Sequence, residues 1–208
     1  MRWRWLLAVP VVVPGLVAPV LAHHVGSYTP RDNEVSANFK QIKFSIQAKR
    51  FDVAMRLYDT GALRRALRSQ ASRMPPGLDE AIGTALKAGD ARAAESGLMR
   101  FFAVLMRDLV LEADRQASDR SSAVDERADA ARKLLQATWR YYNLVDFAIS
   151  QRNSQASTAM RLAFDEAEGY VKPGAAPALD KIRQPLQRMA QILGDVIQAS
   201  ATSARRDP

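Results

Sequence analysis

Cysteine is absent from the 208 residues, and histidine occurs only at positions 23 and 24. The first absence excludes disulfide staples, thiolate nucleophiles, c-type haem attachment and Cys-ligated zinc or iron–sulfur centres. The second leaves too few imidazoles for a His-rich metal centre or for several acid–base roles. A Gly-rich phosphate loop, a Gly-x-Ser-x-Gly elbow and a His-Glu-x-x-His helix are also missing, so catalysis finds little support. After Ala22 no apolar run approaches the roughly 20 residues that a membrane-spanning helix needs. Nor do β-branched residues cluster there with the period-two alternation of a half-buried strand.

What is there begins with Met1-Arg2-Trp3-Arg4-Trp5, followed by an apolar run from Leu6 to Ala22. Two arginines ahead of a short apolar run read as a secretory signal peptide, and Val20-Leu21-Ala22 supplies its cleavage site. Pro10, Pro14 and Pro19 each remove a hydrogen bond from any helix attempted here. Residues 1–22 are therefore expected to be clipped after Ala22 and the product exported to a periplasm. The alternative is an anchor formed by the uncleaved N-terminal segment. An exported chain without disulfides depends on its core, and a domain of this size buries roughly 70% of its unfolded surface.

Residues 23–33 carry turn chemistry (Gly26, Ser27, Thr29-Pro30, Asp32-Asn33) and are expected to form an extended leader. From Glu34 onward apolar residues recur every three or four positions, first as Val35, Phe39, Ile42 and Ile46. Breaks are expected at Ala48-Lys49-Arg50, at Met74-Pro75-Pro76-Gly77, at Gly89 as a left-handed cap, at Gln151-Arg152-Asn153-Ser154 and around Lys172-Pro173-Gly174. Asp90 should cap the long helix that follows it, and Ser121 or Ser122 should start the next. The class is all-α: a compact bundle of six or seven helices with tight antiparallel hairpins. One domain spans 34–200, with a flexible tail at 201–208. The junctions Gln47–Ala54 and Leu86–Ala94 resemble those of tetratricopeptide hairpins over about eight residues each. The 34-residue period of such arrays is missing, which favours paired helices over a solenoid.

Three groups of residues are candidates for function. Cleavage after Ala22 would leave His23 first and His24 second, and an N-terminal histidine offers an amine and an imidazole nitrogen to Cu(II). This resembles the terminal half of a histidine brace, as in copper-dependent polysaccharide oxygenases and some periplasmic copper carriers. Those families are β-sandwiches with a further histidine, which this chain lacks; the chelate would close through His24, Asp32, Glu34 or a helical carboxylate. Second, Asp108, Glu112 and Asp146 lie on or beside apolar stripes, where inward carboxylates could hold copper, iron or a hard cation. The Glu-x-x-His of di-iron bundles is absent. Third, Trp139-Arg140-Tyr141-Tyr142-Asn143 concentrates aromatic area on one helix. Trp139, Arg140, Tyr141 and Asn143 are its expected partner-binding residues.

The formal net charge is +8, from 30 Lys and Arg against 22 Asp and Glu. The basic residues are scattered, and nucleic-acid motifs are absent. In an exported chain this balance points to an anionic membrane surface or an acidic partner, with no role for nucleic acid. The expected function is a periplasmic binding protein for copper, iron or a small ligand. The alternative is a non-enzymatic accessory subunit docking on an envelope transporter or redox complex.

Overall fold

The computed structural model describes residues 33–203, and among them there are eight α-helices, one 3-10 turn and no strand. The all-α bundle expected from periodicity is therefore observed, with slightly more helices than the six or seven counted in the sequence. The signal-peptide residues, His23, His24 and the end of the tail lie outside the described residues.

The first helix, α1 (Glu34–Gln47), starts on a reciprocal cap: Asn33 Oδ1 accepts the Ser36 amide at 2.9 Å, and the Asn33 amide donates to Ser36 Oγ at 3.0 Å. It ends at Lys49, whose φ of 57° lies in the left-handed region. Around Gly61 the chain forms two helices, α2 (Phe51–Thr60) and α3 (Ala62–Ser69). Neither end of that joint has a side-chain cap of its own. Asn38 of α1 serves both. Its Nδ2 donates to the Leu57 carbonyl of α2 at 3.1 Å, and its Oδ1 accepts the Leu63 amide of α3 at 3.0 Å. A Cβ at Gly61 would lie 2.1 Å from Asn38 Oδ1, so glycine is what lets the clip close.

A 3-10 turn at Ala71–Arg73 and the Pro75-Pro76-Gly77 loop lead to α4 (Leu78–Ala88). Gly89, at φ 71°, closes α4 as expected. Asp90 then caps α5 (Ala91–Ser118) by accepting the Ala93 amide at 2.9 Å. The next helix, α6 (Val124–Arg152), starts later than expected, because its N-cap is Ala123 and bonds through no side chain. Ser121 instead bonds Asp119 Oδ1 through both its amide and its hydroxyl. Asn153 alone separates α6 from α7 (Ser154–Tyr170) and accepts the Ala156 amide at 2.9 Å. The last helix, α8 (Leu179–Ser203), runs unbroken through Pro185. Among the described residues no helix is long and apolar enough to cross a membrane.

Helices α5, α6, α7 and α8 form a closed ring in which each packs on the next and α8 returns to α5. Helices α1–α4 form a second group, joined to the ring through α4 on α5 and through α1 on both α5 and α6. The core is continuous across both groups. An aromatic chain crosses it: Phe39 of α1 meets Phe102 of α5 edge-on at 4.8 Å, and Phe102 meets Tyr141 of α6 at 5.4 Å. Truncating a buried Phe to Ala costs roughly 3–5 kcal/mol, so Phe102 alone is a large share of a domain's stability.

Candidate functional site

At one end of the ring α5 begins, α6 ends, α7 begins and α8 approaches its terminus. Between them lies a cleft of about 680 Å³. This is within the ~300–1,000 Å³ range of small-molecule sites, which favour the space between helices of bundles. Its walls are apolar: Met99 from α5, Ile149 from α6, Ala156 and Ala159 from α7, and Ile192 and Val196 from α8. Met99 and Ile149 are each only 2% exposed, so they form its floor.

Polar side chains line the cleft as well, from Arg92 and Ser96 of α5 and Arg152 of α6 to Asp195 and Ser200 of α8. The Arg152 Nη1–H donates to Ser96 Oγ at 2.9 Å, and Ser96 is itself buried. Burial pushes the Arg152 guanidinium below the usual arginine range; nearby Arg92 acts in the same direction, and Glu95 opposes it. Among the described residues neither Arg92 nor Arg152 carries an ion pair. Asp90 and Asp195 also line the cleft, and Asp90 is engaged as the α5 cap. Arg152 and Met99 in addition border a smaller hollow of about 160 Å³ between α1, α5 and α6, where Phe147 is 69% exposed. A partly desolvated guanidinium thus stands at the junction of two hollows.

The carboxylates singled out in the sequence lie elsewhere and apart. Asp108 has Arg73 and Arg107 at 3.8 Å each, and burial holds its carboxyl above the usual range against those two cations. Glu112 accepts from Arg115 Nε at 2.8 Å and from Gln116 at 2.7 Å. Asp146 accepts from Ser157 Oγ at 2.9 Å and pairs with Arg161. Burial alone would raise Asp146, but hydrogen bonds from Tyr142, Ser157 and Arg161 bring it below the usual range. Among the described residues no group of three or more His, Asp or Glu is placed to hold a metal ion. His23 and His24 lie outside them.

The aromatic segment needs a correction. Tyr141, expected on an outer surface, is 3% exposed, touches Phe102 and accepts from Asn33 Nδ2 at 2.9 Å. Trp139 stacks on Phe164 of α7 at 4.6 Å and on Tyr142 at 5.5 Å, and Arg140 is half-buried. Of the expected partner surface only Asn143 is exposed. Helix α6 packs on α5, α7 and α1, so more than one of its faces is covered.

Another polar cluster is structural. Asp79 of α4 accepts from Tyr58 Oη at 2.7 Å, Arg64 Nε at 2.6 Å and Arg68 Nε at 2.8 Å, tying α2 and α3 to α4. Burial works to raise Asp79, yet those three donors hold it below the usual carboxylate range. Burial, and then the Asp79 carboxylate, push the Tyr58 hydroxyl far up, against the opposing pull of Arg64 and Arg68.

Fold and cleft together define a helical bundle with a ligand-sized opening at one end of its four-helix ring. Compared with known proteins, the chain matches no family model, no curated protein and no solved structure.

Proposed function

We propose that this protein is a binding module that takes a small organic ligand into the cleft between the ends of α5, α6, α7 and α8. The observation that carries this reading is the opening itself: about 680 Å³, lined by apolar and polar side chains together. Close packing is the rule for bundle interiors, and an opening of this size left between four helix ends is the kind of space ligands occupy. Exposure to the cell envelope is part of the proposal and draws on Arg2, Arg4 and the apolar run to Ala22. Copper or iron handling depends on His23 and His24; the arginine-paired Asp108, Glu112 and Asp146 lend it no support. Docking on an envelope transporter or redox complex would now draw on exposed Phe147 rather than on buried Tyr141.

The test uses the neutral dye N-phenylnaphthylamine, which brightens in apolar surroundings. The protein should bind one dye per chain, and Ala159→Trp, which fills the cleft from an exposed backbone position, should abolish binding while leaving the helical circular dichroism unchanged. Equal dye binding by the Ala159→Trp variant would overturn the reading.

A further inference from the structure

Resting on the binding reading above, we infer that the cleft selects a single-chain amphipathic anion, such as a medium-chain alkyl carboxylate, with its head on Arg152 and Arg92 and its tail along α7 and α8. Three observations converge. First, Arg152 lies where a buried hydroxyl, Ser96, gives it one neutral hydrogen-bond partner and no carboxylate does. A guanidinium has five donors in a planar fork, so most remain available to a carboxylate. Second, Arg92 borders the same cleft, and both arginines are exposed at its rim, where an anionic head beside them would balance their charge while a tail enters the cleft. Third, α7 and α8 contribute Ala156, Ala159, Ile192 and Val196 to the lining, a run of apolar surface that suits an alkyl chain, with Asp195 and Ser200 beside it on α8.

The acids at the cleft do not cancel this preference. Asp90 has its Oδ1 committed to the Ala93 amide, at the positive end of α5. Asp195 lines the cleft and is exposed, as both arginines are. Glu95 borders the smaller hollow beside Arg152. With Asp90 committed to the α5 cap, two arginines stand at the cleft against one uncommitted acid, which favours an anionic head over a cationic one.

Displacement of N-phenylnaphthylamine from the full chain by decanoate, decanol and decyltrimethylammonium reads the preference. Decanoate should displace the dye at about tenfold or more lower concentration than decanol, the effect of one charge-assisted hydrogen-bonded pair. Decyltrimethylammonium should be the weakest. Arg152→Gln and, separately, Arg92→Gln should each reduce the decanoate advantage over decanol, read as the ratio of the two displacing concentrations on the same variant; either variant alone suffices if the other fails to fold. Dye binding with no preference for decanoate overturns the inference and leaves the binding reading standing. Dye that binds neither the native chain nor the variants overturns both. Displacement by phosphatidylglycerol vesicles but not by monomeric decanoate overturns the inference in favour of a membrane surface.

Discussion

Removing the Asn38 side chain should cost far more than an ordinary polar-to-alanine change. Asn38 makes two hydrogen bonds, and both go to backbone groups that helix geometry leaves unpaired. The Leu57 carbonyl would normally take the amide of residue 61, but that amide turns to Tyr58. The Leu63 amide sits in the first turn of α3, before any carbonyl of its own helix can reach it. Asn38→Ala therefore strands one acceptor and one donor in a site where Asn38 is 8% exposed and Leu63 is fully buried. Each such group costs roughly 1–3 kcal/mol, so the loss should be about 2–6 kcal/mol. In a domain of this size that corresponds to a fall in Tm of roughly 4–24 °C. Urea unfolding followed by circular dichroism reads it directly as a shifted midpoint at unchanged slope. Gly61→Ala should cost at least as much, because its Cβ would meet the Leu57 carbonyl at 2.2 Å as well as the Asn38 carboxamide at 2.1 Å. A loss below about 1 kcal/mol for Asn38→Ala would refute the idea that one side chain caps two helices.

Two carboxylates should respond to pH with opposite sign. Asp79, held below the ordinary range, contributes stability that is present above about pH 4 and drains away as the pH falls through its folded value. Asp79→Asn should thus lower the urea midpoint at pH 7 and lower it much less at pH 3. Asp108, raised by burial, favours folding while protonated and loses that contribution as pH rises, so Asp108→Asn should raise the midpoint at pH 7 and match the native chain at pH 3. Two glycines inside helices should also diverge. Gly194→Ala meets open space and should stabilise by about 0.5–1 kcal/mol, whereas a Cβ at Gly97 would lie 2.5 Å from Ile82 Cγ1, so Gly97→Ala should lower the Tm despite better helix propensity. Paired thermal melts decide both.

Local chemistry was readable in the residues, and distant pairing was not. Gly89 and Asp90 announce their helix boundary because a left-handed glycine and an N-cap acid act within a few residues of themselves. Ser121 and Ser122 misled because Asp119 offered Ser121 a closer bond than the helix did. The Asn38 clip is invisible in the chain, since 25 residues separate Asn38 from the Leu63 amide it holds. The cleft is further out of reach. Asp90 and Asn153 were each legible as boundaries, yet nothing local says that those two boundaries, with the far part of α8, meet at one end of the bundle. Ser96 and Arg152 carried no motif; they gain meaning only from the 2.9 Å between them across 56 positions.

Helix α5 is a wall shared by two rooms, the ring on one side and α1–α4 on the other. Neither room can be taken away without baring the other. A cut in the Gly89-Asp90 connection would leave Ile82 and Leu86 on one piece, and Leu98 and Phe101 on the other, facing water. The consequence is mechanical unity: heat or denaturant should melt both halves in one step, and either fragment made alone should aggregate. New sequence is better inserted at the Pro75-Pro76-Gly77 bend, where Gly77 meets nothing within 4 Å.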